Sequence, residues 1–262
     1  MTELKTHMDS FTLTEEQLNS YNENGYLLIP GVWNKDEVDI IRQDLDHYAR
    51  DNITVRLDMH HHASIKQAHR GKKMCDIGDA ICGGRAIPLA TTTFFCKPNN
   101  EKELGSIWHQ DNFAPMAPNG NHYLNLALVV DDADSTNGSL IVIPGSHRLG
   151  MLAFAPSPNF SADADGNRYQ IAPIGDAYKL SDYTDSDGNP LSDDLPTLQL
   201  EYKAGDVLVV NGLLLHKADR NTHPTRWRRT IYSVYIREGE PFWPGWTAKR
   251  ELLGRYDSKD FA

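Results

Sequence analysis

The sequence predicts a mainly β fold, a double-sheet barrel or jelly roll with helices packed against its outside. Helical signals cluster near the start of the chain, before about residue 50. From about residue 90 the texture changes to many short β-branched, aromatic or alternating segments separated by turn residues. The length, 262 residues, suits one domain of this kind spanning 1–262.

The residues up to about 12 read as a flexible tail. Thr14-Glu15-Glu16-Gln17 is a helix start, with Thr14 as N-cap, Gln17 three residues on and acids in the first turn. Gly25 ends that helix, and Tyr26-Leu27-Leu28-Ile29-Pro30 reads as a short buried strand closed by Pro-Gly. Asn34 or Asp36 opens a second helix. Val38, Ile41, Leu45 and Tyr48 form one face of it, and the outer surface of a sheet is the expected partner. Thr91 to Cys96 is β-branched and aromatic, hence a strand. Between Tyr123 and Val130 the side chains alternate: Leu124, Leu126, Leu128 and Val130 on one face, Tyr123, Asn125, Ala127 and Val129 on the other. Asn137-Gly138 marks a tight turn before Ser139 to Ile143. Leu198 to Tyr202, Asp206 to Asn211 and Arg229 to Arg237 read as further strands. Residues 151–197, rich in Asp, Asn, Ser, Gly and Pro, interrupt the pattern as an insertion or lid loop.

Lys plus Arg total 26 against 36 Asp plus Glu, a net charge of −10. That balance argues against gripping a nucleic-acid backbone or an anionic membrane. No apolar run reaches the length of a membrane span, and Met1 to His7 lacks the apolar stretch of a secretory signal. Cys75, Cys82 and Cys96 are too few and too irregular for a disulfide framework, and no CxxC pair suggests zinc. Reduced thiols in a cytoplasmic protein are the expectation.

Trp108-His109-Gln110-Asp111-Asn112 places a His and an Asp two residues apart. On an extended strand both point to one face, so an imidazole nitrogen and a carboxylate oxygen can converge on one ion. His216, just after the apolar run Val207 to Val210, is the candidate third ligand. Two His and one carboxylate on one face of an octahedron leave three positions open, as in non-haem Fe(II) oxygenases. Arg228 and Arg229 follow His216 by 12 and 13 residues, and a guanidinium suits the free carboxylate of a chelating co-substrate such as 2-oxoglutarate.

Five ordered segments resemble the phytanoyl-CoA dioxygenase family of Fe(II)/2-oxoglutarate-dependent oxygenases, over residues 14 to 238 except 151–197. They are Gln17 through Gly25-Tyr26-Leu27 with Pro30-Gly31-Val32; Trp108 to Asn112; Asn137 to Leu140 with Ile143 to His147; Ala204-Gly205-Asp206-Val207-Leu208 leading to His216; and Asn221 with Arg228-Arg229. The resemblance implies a double-stranded β-helix, cupin-like, with Fe(II) held by His109, Asp111 and His216. It implies 2-oxoglutarate anchored by Arg228, with Arg229 the alternative because the interval from His216 is one residue longer than the family's; alternation cannot choose, since the two point to opposite faces. Asn125 is expected to touch the co-substrate, and Asn112 and Phe113 to line the substrate pocket. Related halogenases lack the carboxylate that Asp111 supplies, so oxygen insertion is expected. The co-substrates O₂ and 2-oxoglutarate yield succinate and CO₂ as a C–H bond of a small, polar metabolite is hydroxylated. Further oxidation to a ketone or a desaturated product is an alternative outcome. Where relatives often carry a hydroxyl two residues after the distal His, this chain has Ala218.

Other residues read as structural. His60-His61-His62 cannot all face one ion on a regular element and is expected to be a polar loop. His122 and His147 read as structural or turn residues, Trp243 and Trp246 as packing, and Lys66, Arg70, Lys72 and Lys73 as a solvated basic face. Two rival functions are a β-barrel that binds a ligand without catalysis, and a zinc-type site for hydrolysis or isomerisation.

Overall fold

The computed structural model describes residues 4–48, 55–56, 62–99, 105–112, 117, 119–154, 160–162, 168–170, 179–242, 251–259 and 261. Along the chain come α1 (Glu15–Asn24), β1 (Tyr26–Ile29), α2 (Lys35–Tyr48), β2 (Val55–Arg56), α3 (Ala63–Arg70), α4 (Lys72–Cys82), β3 (Ala86–Cys96), β4 (Tyr123–Val129) and β5 (Leu140–Val142). Then follow β6 (Ala153–Phe154), β7 (Phe160–Ala162), β8 (Arg168–Gln170), β9 (Tyr183–Thr184), β10 (Leu198–Gln199), β11 (Val207–Asn211), β12 (His216–Ala218) and β13 (Arg228–Arg237).

Two sheets make the barrel. The larger has the order β1-β11-β4-β13-β3-β2 and the smaller β10-β5-β12. Neighbours within both are antiparallel. This is the double-stranded β-helix that the sequence suggests. The alternation of β4 decides which side faces which layer. Leu124, Leu126, Leu128 and Val130 lie in a core shared with Val38, Ile41 and Leu45 of α2, so the helical face covers the outside of the large sheet. Ala127 and Val129 instead pack with Leu140, Val142, Leu208 and Val210 between the two sheets.

Local signals account for the first elements. Thr14 and Gln17 form a reciprocal capping box at the start of α1, and Gly25 closes it in the left-handed region (φ 78°). Asn34 Oδ1 accepts from the Glu37 amide at 3.1 Å at the start of α2. Asp206 accounts for the Ala-Gly-Asp turn before β11. Its carboxylate accepts from the Gly31 amide at 2.9 Å and the Lys203 amide at 2.7 Å. Gly205 has φ +95°, and a Cβ there would lie 2.2 Å from the Trp33 carbonyl oxygen. The Gly205→Ala variant is therefore expected to lose roughly 2 kcal/mol or more of stability, read as a lower midpoint in denaturant unfolding.

Two expectations are corrected. The initial residues are not a loose tail from residue 4 onward: Leu4 is fully buried, and the Thr6 amide donates to Glu37 Oε1 at 2.8 Å. The basic run is not a solvated face. Arg70 and Lys73 are buried; Lys73 Nζ donates to the Val32 carbonyl at 2.8 Å and sits 4.3 Å from the Trp33 ring centre, and Arg70 donates to the Gly254 carbonyl. Burial pulls the Lys73 ammonium below its usual range. Of the histidine triplet, His62 is the N-cap position of α3, while His60 and His61 lie outside the described residues. Trp243 and Trp246 also lie outside them. The three cysteines are buried thiols, and burial pushes Cys75 and Cys82 up to about 12. No described helix is long and apolar enough to cross a membrane.

Candidate active site

His109 bridges to the start of β12, and Asp111 opens the turn that follows it. His109 and His216 exchange both backbone hydrogen bonds at 3.0 Å, and the Asn112 amide donates to the Gly212 carbonyl at 2.8 Å. Residues i and i+2 share a face, so His109 and Asp111 emerge together and the bridge sets His216 alongside them. Nitrogen and oxygen atoms of the three side chains all lie within 4.8 Å of one another. His109 Nε2 is 3.6 Å from Asp111 Oδ1, and His216 Nε2 is 3.6 Å from Asp111 Oδ2.

The same device orients both rings. His109 Nδ1 is 2.7 Å from the Ile107 carbonyl, and His216 Nδ1 is 2.9 Å from the Leu214 carbonyl, each two residues back. A carbonyl accepts only, so Nδ1 carries the proton and Nε2 the lone pair. Both lone pairs face the carboxylate. Burial, and then the neighbouring His109, push His216 down to about 4, so it is neutral at physiological pH. Burial also acts against a charged His109, but a protonated Nε2 would donate to and pair with Asp111, and this outweighs burial and holds His109 above its usual value. Two neutral-capable imidazoles and one carboxylate, oriented by backbone carbonyls, fit a divalent transition metal.

The sequence profile of phytanoyl-CoA dioxygenase (PhyH) matches residues 21–230. The chain belongs to the PhyH family. As a dioxygenase of this family it is an Fe(II)/2-oxoglutarate-dependent enzyme. It is 26% identical to a methylphosphonate hydroxylase of Gimesia maris over 74% of this chain and 82% of that protein. It is 24% identical to an ectoine dioxygenase of Bordetella bronchiseptica over 85% of this chain and 75% of that one. Among solved structures, EctD from S. alaskensis with 2-oxoglutarate and 5-hydroxyectoine superposes with a TM-score of 0.66 at 15% identity, covering 92% of this chain and 84% of that one. At that identity the superposition speaks for the fold.

Within this PhyH chain the two candidate arginines part company. Arg229 Nε and an Nη atom grip both Asp131 oxygens at 2.7 and 2.8 Å, and Arg229 also pairs with Asp46. Arg228 has the opposite parity on β13, the parity of Tyr232, which packs in the core between the sheets. Its Nε donates to the Asn137 carbonyl at 3.1 Å. The Tyr202 hydroxyl accepts from the Leu140 amide at 3.3 Å, and the Arg228 charge acts on it against the effect of burial. Leu140 is the cross-strand partner of Ala218, so this phenol stands beside the position that lacks a hydroxyl. Burial raises the Tyr202 and Tyr232 phenols, so both are neutral donors at physiological pH. Neither tyrosine was anticipated. Tyr232 had a signal, being four residues beyond Arg228 on one strand, whereas Tyr202 comes from the other sheet.

The remaining expected residues divide. The Asn125 amide donates to Asp111 Oδ2 at 2.5 Å, so it bears on the carboxylate of the cluster. Asn112 is 2% exposed, its Nδ2 donates to the Ala117 carbonyl at 3.0 Å and its Oδ1 accepts the Ala117 amide at 2.8 Å. With both ends of its amide engaged, Asn112 braces its own loop. Phe113 lies outside the described residues. His147 and His122 are structural, as expected: His147 Nε2 contacts the Asn22 carbonyl at 3.1 Å, and His122 pairs with Glu240 at 2.7 Å.

Proposed function

We propose that this dioxygenase hydroxylates a C–H bond of a small, polar metabolite, with His109, Asp111 and His216 as the iron ligands and Arg228 as the anchor of 2-oxoglutarate. The observation that carries the reading is the convergence of two Nε2 lone pairs and one carboxylate within 4.8 Å. The balance is one C–H bond, O₂ and 2-oxoglutarate giving one C–OH bond, succinate and CO₂. Bound there, the metal and 2-oxoglutarate would activate O₂, which would supply the inserted oxygen atom. The protein's part is geometric. The Ile107 and Leu214 carbonyls fix the imidazole tautomers. Asn125 steadies Asp111, and Arg228, with Tyr202 beside it, meets the distal carboxylate of 2-oxoglutarate between the sheets.

A small, polar substrate is supported by the names of the two relatives, a methylphosphonate hydroxylase and an ectoine dioxygenase. The test is aerobic incubation of the Fe(II)-loaded protein with 2-oxoglutarate and a panel of small phosphonates and zwitterionic solutes. Succinate formation matched by a product heavier by one oxygen atom supports the reading. Substrate-independent ligand binding with no succinate at any panel member counts against it. The Asn125→Ala variant is expected to weaken metal binding about tenfold, the low end for loss of a group that orients a ligand. Isothermal titration with Mn(II) checks that figure.

A further inference from the structure

The two ends of the 151–197 insertion come together beside the metal-binding segments. β6 pairs antiparallel with β9, Ala153 opposite Thr184 and Phe154 opposite Tyr183. The Tyr183 hydroxyl donates to the Trp108 carbonyl. Leu180, Tyr183 and Leu191 share one buried cluster with Trp108 and Leu215. Trp108 immediately precedes His109, and Leu215 immediately precedes His216. By strand alternation these two side chains point away from the face that carries the histidines.

Gln110 forms a second junction on that rear face. It lies between His109 and Asp111 and is 3% exposed. Its Nε2 donates to the Leu213 carbonyl at 2.7 Å and to the Gly150 carbonyl at 2.8 Å. Its Oε1 accepts the Leu152 amide at 2.9 Å. One side chain therefore joins the His109–Asp111 segment, the turn leading into His216 and the root of the insertion. Removing it leaves the buried Leu213 carbonyl, and the partly buried Gly150 carbonyl and Leu152 amide, without this partner; for the buried group that costs more than the bond itself contributes.

We propose that the base of the insertion positions the metal centre, acting through Tyr183 and Gln110 on the backbone of the two histidine-bearing segments. This rests on the assignment of His109, Asp111 and His216 as ligands. Tyr183 and Gln110 are positioning residues, since neither faces the cluster. Their effect appears in metal affinity because the site must hold two rings and a carboxylate in register before an ion arrives. The Asp193 carboxylate gives an internal control. It accepts from the Ser181 amide and hydroxyl, each at 2.9 Å, within the same base but away from Trp108 and Gln110.

The test titrates the full-length protein with Mn(II) in the presence of 2-oxoglutarate and reads free Mn(II) by electron paramagnetic resonance. Thermal midpoints of the metal-free proteins are recorded beside it. Gln110→Leu is expected to weaken Mn(II) binding about tenfold or more, and Tyr183→Phe roughly three- to tenfold. Asp193→Ala is expected to stay within about twofold of wild type, because it touches neither junction. If Gln110→Leu does not fold, Tyr183→Phe, which removes a single hydroxyl, decides alone. Wild-type affinity in the folded Tyr183 and Gln110 variants overturns the proposal and leaves the metal assignment standing. An equal loss in Asp193→Ala also overturns it, since that is the mark of general destabilisation. Failure of the wild-type protein to bind Mn(II) removes the metal assignment, and this proposal with it.

Discussion

His216→Ala is expected to abolish turnover and to lower Fe(II) affinity by well over about 100-fold, more than the loss usual for an outer-shell partner. The ring supplies one of three donor atoms gathered within 4.8 Å, and among the described residues no other group of at least three His, Cys, Asp or Glu donors is so gathered. The fold is expected to survive. His216 is buried, so its removal leaves a small cavity, and the Leu214 carbonyl loses its Nδ1–H donor. Against that, the metal-free protein sheds one of two lone pairs directed at a carboxylate 3.6 Å away. A metal-free thermal midpoint within a few degrees of wild type, together with lost metal binding, is the expected pair of results. Asp111→Ala should behave alike. A variant that keeps wild-type turnover would show that His216 is not a ligand.

Arg228→Ala is expected to raise the KM for 2-oxoglutarate at least about 100-fold, since a bidentate charge-assisted pair is worth roughly 3 kcal/mol. Arg228→Lys should recover part of the loss, because an ammonium keeps the charge and loses the planar fork. Arg229→Ala separates anchor from brace. Its guanidinium is 5% exposed and paired with Asp131, so breaking that pair costs about 3–5 kcal/mol of stability. Its KM for 2-oxoglutarate is expected to stay near wild type. Steady-state kinetics and denaturant unfolding on the same three variants give the comparison. The reverse pattern, with KM moving in the Arg229 variant alone, would exchange the two roles.

The difference between the arginines explains what the sequence could and could not disclose. Alternation along β13 says that they face opposite ways, but not which face lies inside. That depends on Asp131 across the sheet and Asp46 on α2, partners 98 and 183 residues away. The alternation of β4, the cap at Thr14 and the His109–Asp111 spacing were legible because each depends on residues a few positions apart. Helices α3 and α4 were not, because neither His62 nor Gly71 makes a side-chain cap bond. Leu4 gave no warning either, being a single apolar residue in a polar stretch that packs against distant elements. The bracing of Asn112 was not legible either, because composition reveals a polar side chain but not that Ala117 engages both ends of its amide. Of the insertion, the richness in Asp, Asn, Ser, Gly and Pro was visible. The docking of Tyr183 on Trp108, 75 residues earlier in the chain, was not.

The central claim is that His109, Asp111 and His216 hold one ferrous ion with room left for a chelating co-substrate. Anaerobic titration of the metal-free protein with Fe(II) and 2-oxoglutarate, followed by visible absorption, tests it most directly. The account expects a charge-transfer band that saturates at one iron per chain, needs both additions and is missing in His216→Ala. A folded wild-type protein that develops no band, or a band that persists in His216→Ala, would contradict it.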